Sequence, residues 1–368
     1  MSLLFSPTRV GSVEIPNRLV VAPMCQYSAN DGTVTEWHAQ HLAQLGYSGA
    51  GWVVVEATAV EPRGRITHGC VGLYNDDNEA ALRNVLTTAR RWAGPTKFGI
   101  QLAHAGRKAS ARRPWEGGAA LNVSEMPWQT ISASELPFAD NWHTPHALTK
   151  DEIAQQLEAW AAATRRAVRA GFDILEVHCA HGYLNHQFLS PLSNRRTDEY
   201  GGSLENRMRF PLAVIRAVKD ALPSHIPLGI RVSSTDWAPN GWDIAQTIEF
   251  VKAAQALGVE FVCASSGGTV SGVTVPVANG YQVPFARDIK QATGIATRAV
   301  GLITGAQQAE KILRDGELDF IAIARGFLDD PRWGWHAAVA LGAEVPRAQQ
   351  YLRAGPKLWA PASERARA

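Results

Sequence analysis

The sequence predicts a single (β/α)8 barrel, and two features favour that fold. Eight short, almost wholly apolar runs rich in β-branched residues alternate along the chain with segments of helical period. This is the pattern of buried parallel strands joined by helices. In addition, no Gly-x-Gly-x-x-Gly follows the first predicted strand, as it would in a dinucleotide-binding Rossmann domain. The predicted organisation is therefore one barrel domain spanning residues 1–368.

The predicted elements follow one another at the spacing of strand–helix repeats. The predicted strands are 18–24, 51–60, 97–104, 172–180, 227–235, 260–268, 296–303 and 318–325. A hairpin is expected before the first of them. The helical segments include 77–93, 149–171 and 304–316. In the second helical segment, Thr149 and Glu152 form a capping-box pattern, and Gly171 is a favourable residue for the C-terminal end.

Two segments exceed what a minimal barrel needs. Residues 105–148, rich in Trp, Pro and Gly, form a long insertion after the third predicted strand. Insertions of this length in a compact domain are usually functional, so we expect a lid. The C-terminal tail, residues 343–368, is polar and aromatic and belongs neither to the barrel nor to an obvious linker.

Composition and charge argue against several classes of function. The formal net charge of +2 is too small to indicate binding to nucleic acid or to an anionic membrane. The sequence shows no apolar run of roughly 18 residues and no signal-peptide pattern. The cysteines are scattered without a Cys-x-x-Cys pair, which argues against a disulfide framework or structural zinc. A soluble, cytoplasmic protein is predicted.

Polar residues collect at the predicted C-terminal ends of the strands, where barrel enzymes carry their active sites. Each one alone could be a satisfied core group, but so many at the same end of the barrel predict a site. These residues are Cys25, Tyr27, Glu56, Thr58, Gln101, His104, His178, His181, Tyr183, Arg231, Ser265, Ser266, Gly301, Ala324 and Arg325.

The last predicted strands favour a phosphate-bearing ligand, because loops at this place in a barrel often bind phosphate through backbone N–H groups. Gly301 permits close backbone approach, and Arg325 offers a charge-assisted contact. Arg231 on the fifth strand would be costly to bury unpaired and needs an anionic partner, for which a reduced flavin is suitable. Gln101 is placed to hydrogen-bond to the pyrimidine edge of such a ring.

Five motifs resemble the old yellow enzyme family of FMN-dependent ene-reductases, in particular its bacterial, thermophilic-like branch. They are PMCQYSANDG, VEATAVEPRGRIT, IQLAHAGRKAS, HCAHGYLNHQFLSPLSNRRTDEYGGSLENRMRF and GYQVPFA. The fourth motif is long and specific, and the resemblance extends over nearly the whole chain. It implies FMN as the cofactor and NADPH, or NADH, as the hydride donor.

The resemblance also implies which residues bind the cofactor. The flavin contacts it assigns are Pro23, Met24, Cys25, Ala57, Gln101 and Arg231. Among these, Cys25 would lie near N5 of the ring and tune its redox potential. The phosphate contacts it assigns are Gly301, Ala324 and Arg325. The family more often has glycine at the position of Ala324.

The activity that the resemblance implies is reduction of an activated alkene, an α,β-unsaturated carbonyl or nitro compound. Hydride would pass from N5 of reduced FMN to the β-carbon, and Tyr183 would give the α-carbon its proton. His178 and His181 would hold the substrate oxygen, and Tyr27 would face the substrate. Imidazole donors on an oxygen and a tyrosine acid are physically suited to these roles.

The resemblance further implies an assembly of subunits. Arg353, in the tail 343–368, resembles an arginine that reaches into the active site of a neighbouring subunit. A homodimer or homotetramer is therefore expected, with the tail as a subunit contact.

Three other hypotheses follow from the residues themselves. A zinc site on the histidine pair would need a third ligand, such as His104 or Glu56, and the charge of Arg231 would repel the metal. No metal is expected. An aldolase would need a lysine at the C-terminal end of a strand for a Schiff base, and the predicted strands offer none there, since Lys97 lies at the opposite end of its strand. A flavin-storage protein would need neither Tyr183 nor the histidine pair.

Overall fold

The computed structural model describes residues 1–316 and 318–365, and its centre is a closed barrel of eight parallel strands. The described strands, in chain order, are β1 (Thr8–Val10), β2 (Val13–Ile15), β3 (Leu19–Val21), β4 (Trp52–Ala59), β5 (Lys97–Ala103), β6 (Ile131–Ser132), β7 (His146–Ala147), β8 (Ile174–Cys179), β9 (Leu228–Ser233), β10 (Phe261–Ser265), β11 (Ala296–Ala299) and β12 (Phe320–Ile323). The barrel order is β3-β4-β5-β8-β9-β10-β11-β12, closing on β3. The predicted (β/α)8 barrel is confirmed.

Helices lie between the strands along the chain and also follow the last strand. They are α1 (Glu36–Gly46), α2 (Asp76–Ala93), α3 (Lys150–Ala170), α4 (Leu184–Leu189), α5 (Leu204–Ala221), α6 (Ile244–Ala256), α7 (Val283–Thr293), α8 (Ala306–Gly316), α9 (Arg325–Asp329), α10 (Trp333–Ala340) and α11 (Pro361–Arg365). The predicted caps of α3 are confirmed: the Glu152 amide donates to Thr149 Oγ1 at 3.2 Å, and Gly171 adopts φ 97°. None of the described helices is both long enough and apolar enough to cross a membrane.

Several barrel strands are shorter than predicted. β3 ends at Val21 rather than residue 24, and β11 ends at Ala299 rather than residue 303. The apolar sequence continues past the ladder because the next residues stay buried in loops at the mouth of the barrel; Ala22 and Ile303 are examples. Burial sets the apolar pattern, whereas hydrogen bonding to the neighbouring strand sets where the strand ends.

The interior of the barrel is filled by inward-facing side chains. The Trp52 ring meets the rings of Phe261 and Phe320 edge to face, at centroid distances of 5.0 and 6.0 Å. Two glycines leave the space for these rings: a Cβ at Gly99 would lie 2.6 Å from Trp52 Nε1, and one at Gly229 would lie 2.1 Å from Phe261. The aromatic layer fills the N-terminal part of the barrel, so the space for a ligand lies at the C-terminal end.

The segments added to the minimal barrel lie at its periphery. Strands β1 and β2 pair antiparallel, and Val10 and Ile15 join the apolar cluster that contains Trp52. Residues 105–148 include three short 3-10 turns and the small strands β6 and β7. The tail carries a 3-10 turn at Gln349–Ala354 and then α11.

Candidate active site at the mouth of the barrel

The C-terminal mouth of the barrel brings together the polar ends of β8, β9 and β10. His178 of β8 lies opposite Arg231 of β9 in the ladder, and Ser265 is the last residue of β10. Ile174 packs inside the barrel, so His178, on the same face of the same strand, also points inward. Strand alternation therefore aims these side chains into one space.

The rings of His178 and His181 converge. His178 Nδ1 accepts a hydrogen bond from the Ala180 amide at 3.1 Å, so in the neutral ring the proton lies on Nε2. That Nε2 is 3.2 Å from His181 Nδ1, and His181 Nε2 is 2.7 Å from Ser265 Oγ. Tyr183 stands beside them, with its ring centroid 4.9 Å from that of His178.

The turn that carries His181 has a constrained backbone. His181 has φ 58° and Gly182 has φ 69°, and a Cβ at Gly182 would lie 2.1 Å from the Gly268 carbonyl oxygen. Lys108, from the insertion after β5, donates from Nζ to the carbonyls of His181 at 3.0 Å and Gly268 at 2.9 Å. Burial lowers the pKa of the Lys108 ammonium to about 8. The insertion thus anchors the histidine turn.

The protonation states follow from burial. Burial and then the charge of Arg231 lower the pKa values of His178 and His181 well below 6.5, so both rings are neutral near pH 7. Burial raises the pKa of Tyr183 well above 10, and negative charge on Cys25 would raise it further. The cluster therefore offers neutral imidazole N–H donors beside a protonated phenol.

Arg231 and Gln101 fit a flavin. Arg231 Nε is buried without a hydrogen-bond partner in the described part of the chain, and a buried guanidinium calls for an anionic neighbour. Reduced flavin carries negative charge that would meet this need. Gln101 is 2% exposed, and its Nε2 donates to Glu176 Oε1 at 2.6 Å.

A cavity of about 660 Å³ runs from Arg231 to the ends of β11 and β12. His181 and Arg231 line one part, and Gly301, Ala324 and Arg325 line another. Gly301 has φ 118°, and a Cβ there would lie 2.7 Å from Gln282 Nε2, so glycine is required. The cavity thus joins the predicted phosphate contacts to His181 and Arg231.

Further predicted residues reach the mouth from β3 and β4. Pro23 and Met24 are half-buried in the loop after β3 and precede Cys25. A hydrogen bond to Cys70 and then burial raise the pKa of the Cys25 thiol. A β-bulge in β4 shifts the register after Val55, which sets Ala57 opposite Gln101.

Tyr27 lies in the same loop and meets the insertion. Its backbone has φ 52°, and its ring meets that of Trp115 edge to face at 5.7 Å. Arg113, also in the insertion, donates to the Tyr27 carbonyl at 3.0 Å. Burial raises the pKa of the Tyr27 phenol.

Glu56 and His104, the two residues considered as a third zinc ligand, contact other side chains. The bulge places Glu56 against His38 of α1 at 3.5 Å, and His104 Nε2 is 2.8 Å from Glu61 Oε1. Residues 1–316 and 318–365 contain no group of three or more His, Cys, Asp or Glu side chains that could hold a metal. Arg353 is exposed in the tail and is not among the residues lining the cavity.

Four residues near the site were not predicted from the sequence: Glu176, Asp236, Gln282 and Arg298. Glu176 contacts Gln101 and Gln282 contacts Ser265, whereas Arg298 contacts Glu176 and Asp236 contacts His186. Strand alternation carried a signal for two of them, since Glu176 shares a strand face with His178, and Arg298 is a charge within an apolar strand. Gln282 and Asp236 lie outside the strands, where no periodicity reports which way a side chain points.

A closed parallel barrel with a polar cavity at its mouth is the architecture of a barrel enzyme, and the unpaired buried Nε of Arg231 calls for an anionic ligand there. The chain belongs to the NADH:flavin oxidoreductase / NADH oxidase family, the old yellow enzyme family, whose sequence model matches residues 3–342. The protein is accordingly an enzyme that uses FMN and a nicotinamide cofactor.

Known relatives cover almost the whole chain. An NADPH dehydrogenase of Geobacillus sp. (strain WCH70) is 42% identical over 354 residues, which are 96% of this chain and 98% of the relative. An NADH:flavin oxidoreductase of Gibberella zeae is 40% identical and covers 94% of this chain and 88% of its own. Among solved structures, morphinone reductase superposes with a TM-score of 0.75 at 27% identity, covering 94% of this chain and 91% of its own.

Proposed function

We propose that this enzyme reduces activated alkenes, namely α,β-unsaturated carbonyl or nitro compounds, with NADPH or NADH as the electron source. One observation carries the proposal: two neutral imidazole nitrogens, His178 Nε2 and His181 Nδ1, converge to 3.2 Å at the mouth of the barrel. A single oxygen atom can lie within hydrogen-bond reach of both. Donors held ready for a developing negative charge stabilise it more than water does.

Both rings must donate for this clamp to operate. His178 already carries its proton on Nε2, because its Nδ1 accepts from the chain. His181 donates from Nδ1 when its Nε2 accepts from Ser265, which is 2.7 Å away and has a hydroxyl that can either donate or accept. Ser265 supports the tautomer of His181 that binds the substrate oxygen when its hydroxyl donates to His181 Nε2 rather than to Gln282 Oε1, which is 3.3 Å away.

Tyr183 supplies the proton. Its phenol is protonated near neutral pH because burial raises its pKa, and its ring lies 4.9 Å from His178 between centroids. An acid next to the oxygen clamp is suited to protonate the α-carbon of a clamped substrate. Tyr27, which meets the insertion through Trp115, bounds the substrate space.

Reduced FMN, when bound, supplies the hydride that adds to the β-carbon. Arg231 and Gln101 would hold the ring, with Pro23, Met24, Cys25 and Ala57 along it, and Gly301, Ala324 and Arg325 would hold the phosphate. The unpaired Nε of Arg231 supports this assignment, because it needs a negatively charged neighbour.

We also propose that the tail contacts a neighbouring subunit, in a homodimer or homotetramer, and that Arg353 reaches into the active site of that subunit. Exposed apolar side chains next to it support this: Leu352 is 53% exposed and Leu358 is 72% exposed. Sedimentation of the wild type and of Arg353→Ala, with KM for the alkene, tests the proposal. A monomeric wild type would contradict it.

Flavin binding and a substrate panel test the proposed function. The purified protein should show flavin absorbance after addition of FMN, and NADPH or NADH should bleach it under anaerobic conditions. Cyclohexenone, a maleimide and a nitroalkene should each restore the colour. Cyclohexene, which has no oxygen for the clamp, is the matched control and should not.

Two results would contradict the proposal in different ways. A protein that binds no FMN would not be a flavin enzyme. A protein that is bleached by NADPH yet recovers equally slowly with all four compounds would lack the alkene activity.

A further inference from the structure

An ion pair lies inside the barrel, one layer below the mouth. Glu176 of β8 and Arg298 of β11 contact each other with side-chain exposures of 1% and 0%. Replacing a buried ion pair by apolar residues of similar size is often neutral or stabilising, so stability alone does not account for these charges. Glu176 of this pair instead contacts Gln101, one of the residues assigned to the flavin ring.

The charge on Glu176 determines which way the Gln101 amide faces. An ionised carboxylate has acceptors only, so the group 2.6 Å from Glu176 Oε1 must be the NH₂ of Gln101. Gln101 Oε1 is then the amide atom that faces away from Glu176. It makes no hydrogen bond to the described chain and is not among its buried unpaired atoms, so it remains an available acceptor.

Arg298 holds the Glu176 carboxylate in place. Its guanidinium lies over the Trp52 ring at 4.9 Å and over the Phe261 ring at 5.6 Å, within the packed aromatic layer. Packing on two rings leaves the guanidinium little freedom to turn away from Glu176. The chain of contacts thus runs from the rigid floor of the barrel, through two charges, to one amide at the mouth.

We propose that Glu176 and Arg298 are positioning residues that hold Gln101 as a hydrogen-bond acceptor, so that the site selects a flavin ring with an N–H at its pyrimidine edge. This inference rests on the proposed use of FMN. A ring that presents an N–H, as N3 of FMN does, donates to Gln101 Oε1. A ring methylated at N3 has no proton to donate, and its methyl group faces Gln101 Oε1, which Glu176 holds in place.

The ratio of affinities for FMN and 3-methyl-FMN tests this role, because a general loss of packing would weaken both ligands alike. Each flavin is titrated into flavin-free, full-length protein, and quenching of flavin fluorescence reports binding. The wild type should prefer FMN by about tenfold or more, the effect expected of one hydrogen bond and an unpaired acceptor.

In Glu176→Gln the carboxylate is gone and the amide of Gln101 can turn, so the preference should fall to about twofold or less. Because this variant leaves Arg298 unpaired, Glu176→Gln/Arg298→Met removes both charges and should show the same loss while remaining folded. Ile174→Val changes packing on the same face of β8 without touching a charge, and it should keep the wild-type preference.

The outcomes separate the two proposals. An unchanged preference in both charge variants, or a wild type that binds the two flavins equally, overturns the positioning role and leaves the alkene reductase untouched. A wild type that binds neither flavin overturns both.

Discussion

Two histidine sites within one short stretch of sequence have opposite surroundings. His186 is fully buried, with Nε2 3.2 Å from Asp236 Oδ1 and Nδ1 accepting from the Gly182 amide at 3.0 Å. His178 and His181 pair with no carboxylate in the described part of the chain, and they turn their nitrogens toward each other at the mouth of the barrel. A ring whose nitrogens are both engaged by the chain supports structure, whereas a ring with a nitrogen facing the cavity can serve a ligand.

The same contrast separates two inward-facing arginines. Both have a buried Nε without a hydrogen-bond partner in the described chain. Arg298, however, forms an ion pair with Glu176 and lies against two aromatic rings, whereas no carboxylate of the described chain pairs with Arg231. The arginine that has a carboxylate partner orients its neighbours. The arginine that has none marks where an anionic ligand is expected.

The largest effect should come from Tyr183→Phe. Without the phenol proton, we expect alkene reduction to slow by about 10²- to 10⁴-fold, the range for a lost general acid, while flavin reduction by NADPH keeps its rate. Anaerobic stopped-flow measurement of the two half-reactions separates these steps. Tyr200→Phe, at the ring that packs on Phe188, is the control. Equal slowing of both half-reactions would rule out the acid role.

Next in size should be the effect of His186→Leu, and it should fall on stability. The change leaves the Asp236 carboxylate buried without its histidine, and breaking such a pair costs about 3–5 kcal/mol. Urea unfolding in saturating FMN measures the loss. If His186 instead served the substrate, the alkene rate would collapse while the unfolding free energy stayed the same.

His178→Ala, unlike His186→Leu, should affect the rate of alkene reduction rather than stability. Loss of one donor to the substrate oxygen should lower the rate of alkene reduction by about 10²- to 10³-fold, with FMN still bound. Phenols, which place an oxygen in the same clamp, should lose their charge-transfer bands with the flavin. Bands that persist at wild-type strength would remove His178 from the clamp.

A smaller, pH-dependent effect should distinguish the buried pair from the clamp. Burial opposes the charge of Asp236, but His186 and hydrogen bonds lower its pKa from 3.8 to about 2. Because the folded value is depressed, the carboxylate contributes stability above about pH 4, and this is lost as the pH falls toward 2. The contribution is about 2 kcal/mol. The free energy of unfolding of Asp236→Asn should therefore differ most from that of the wild type at pH 6, and the difference should become smaller as the pH is lowered. A difference that does not change with pH would contradict this.

Much of the fold was predictable because barrel strands are buried on both faces. Runs such as 51–60 and 172–180 must be apolar wherever they pair, so composition alone locates them. Their ends were less predictable: burial continues past Val21 and Ala299, and only the ladder decides where each strand stops.

The site also has features that the sequence predicts and features that it does not. Strand alternation predicts that His178, Gln101 and Arg231 face the interior, but it does not predict the bulge that turns Glu56 out toward His38. Nor does it reveal that His104 is held by Glu61. These outcomes depend on a local shift in register and on which helix packs behind the strand.

The sequence by itself determined the order of strands and helices, the end of the barrel that carries chemistry, and the residue types gathered there. Only the tertiary structure decided which of those side chains meet. His181 reaches Ser265 across 84 positions of the chain, and Glu176 reaches Arg298 across 122. Such contacts are set by the closure of the barrel, because closure fixes the relative height of strands that are distant in sequence.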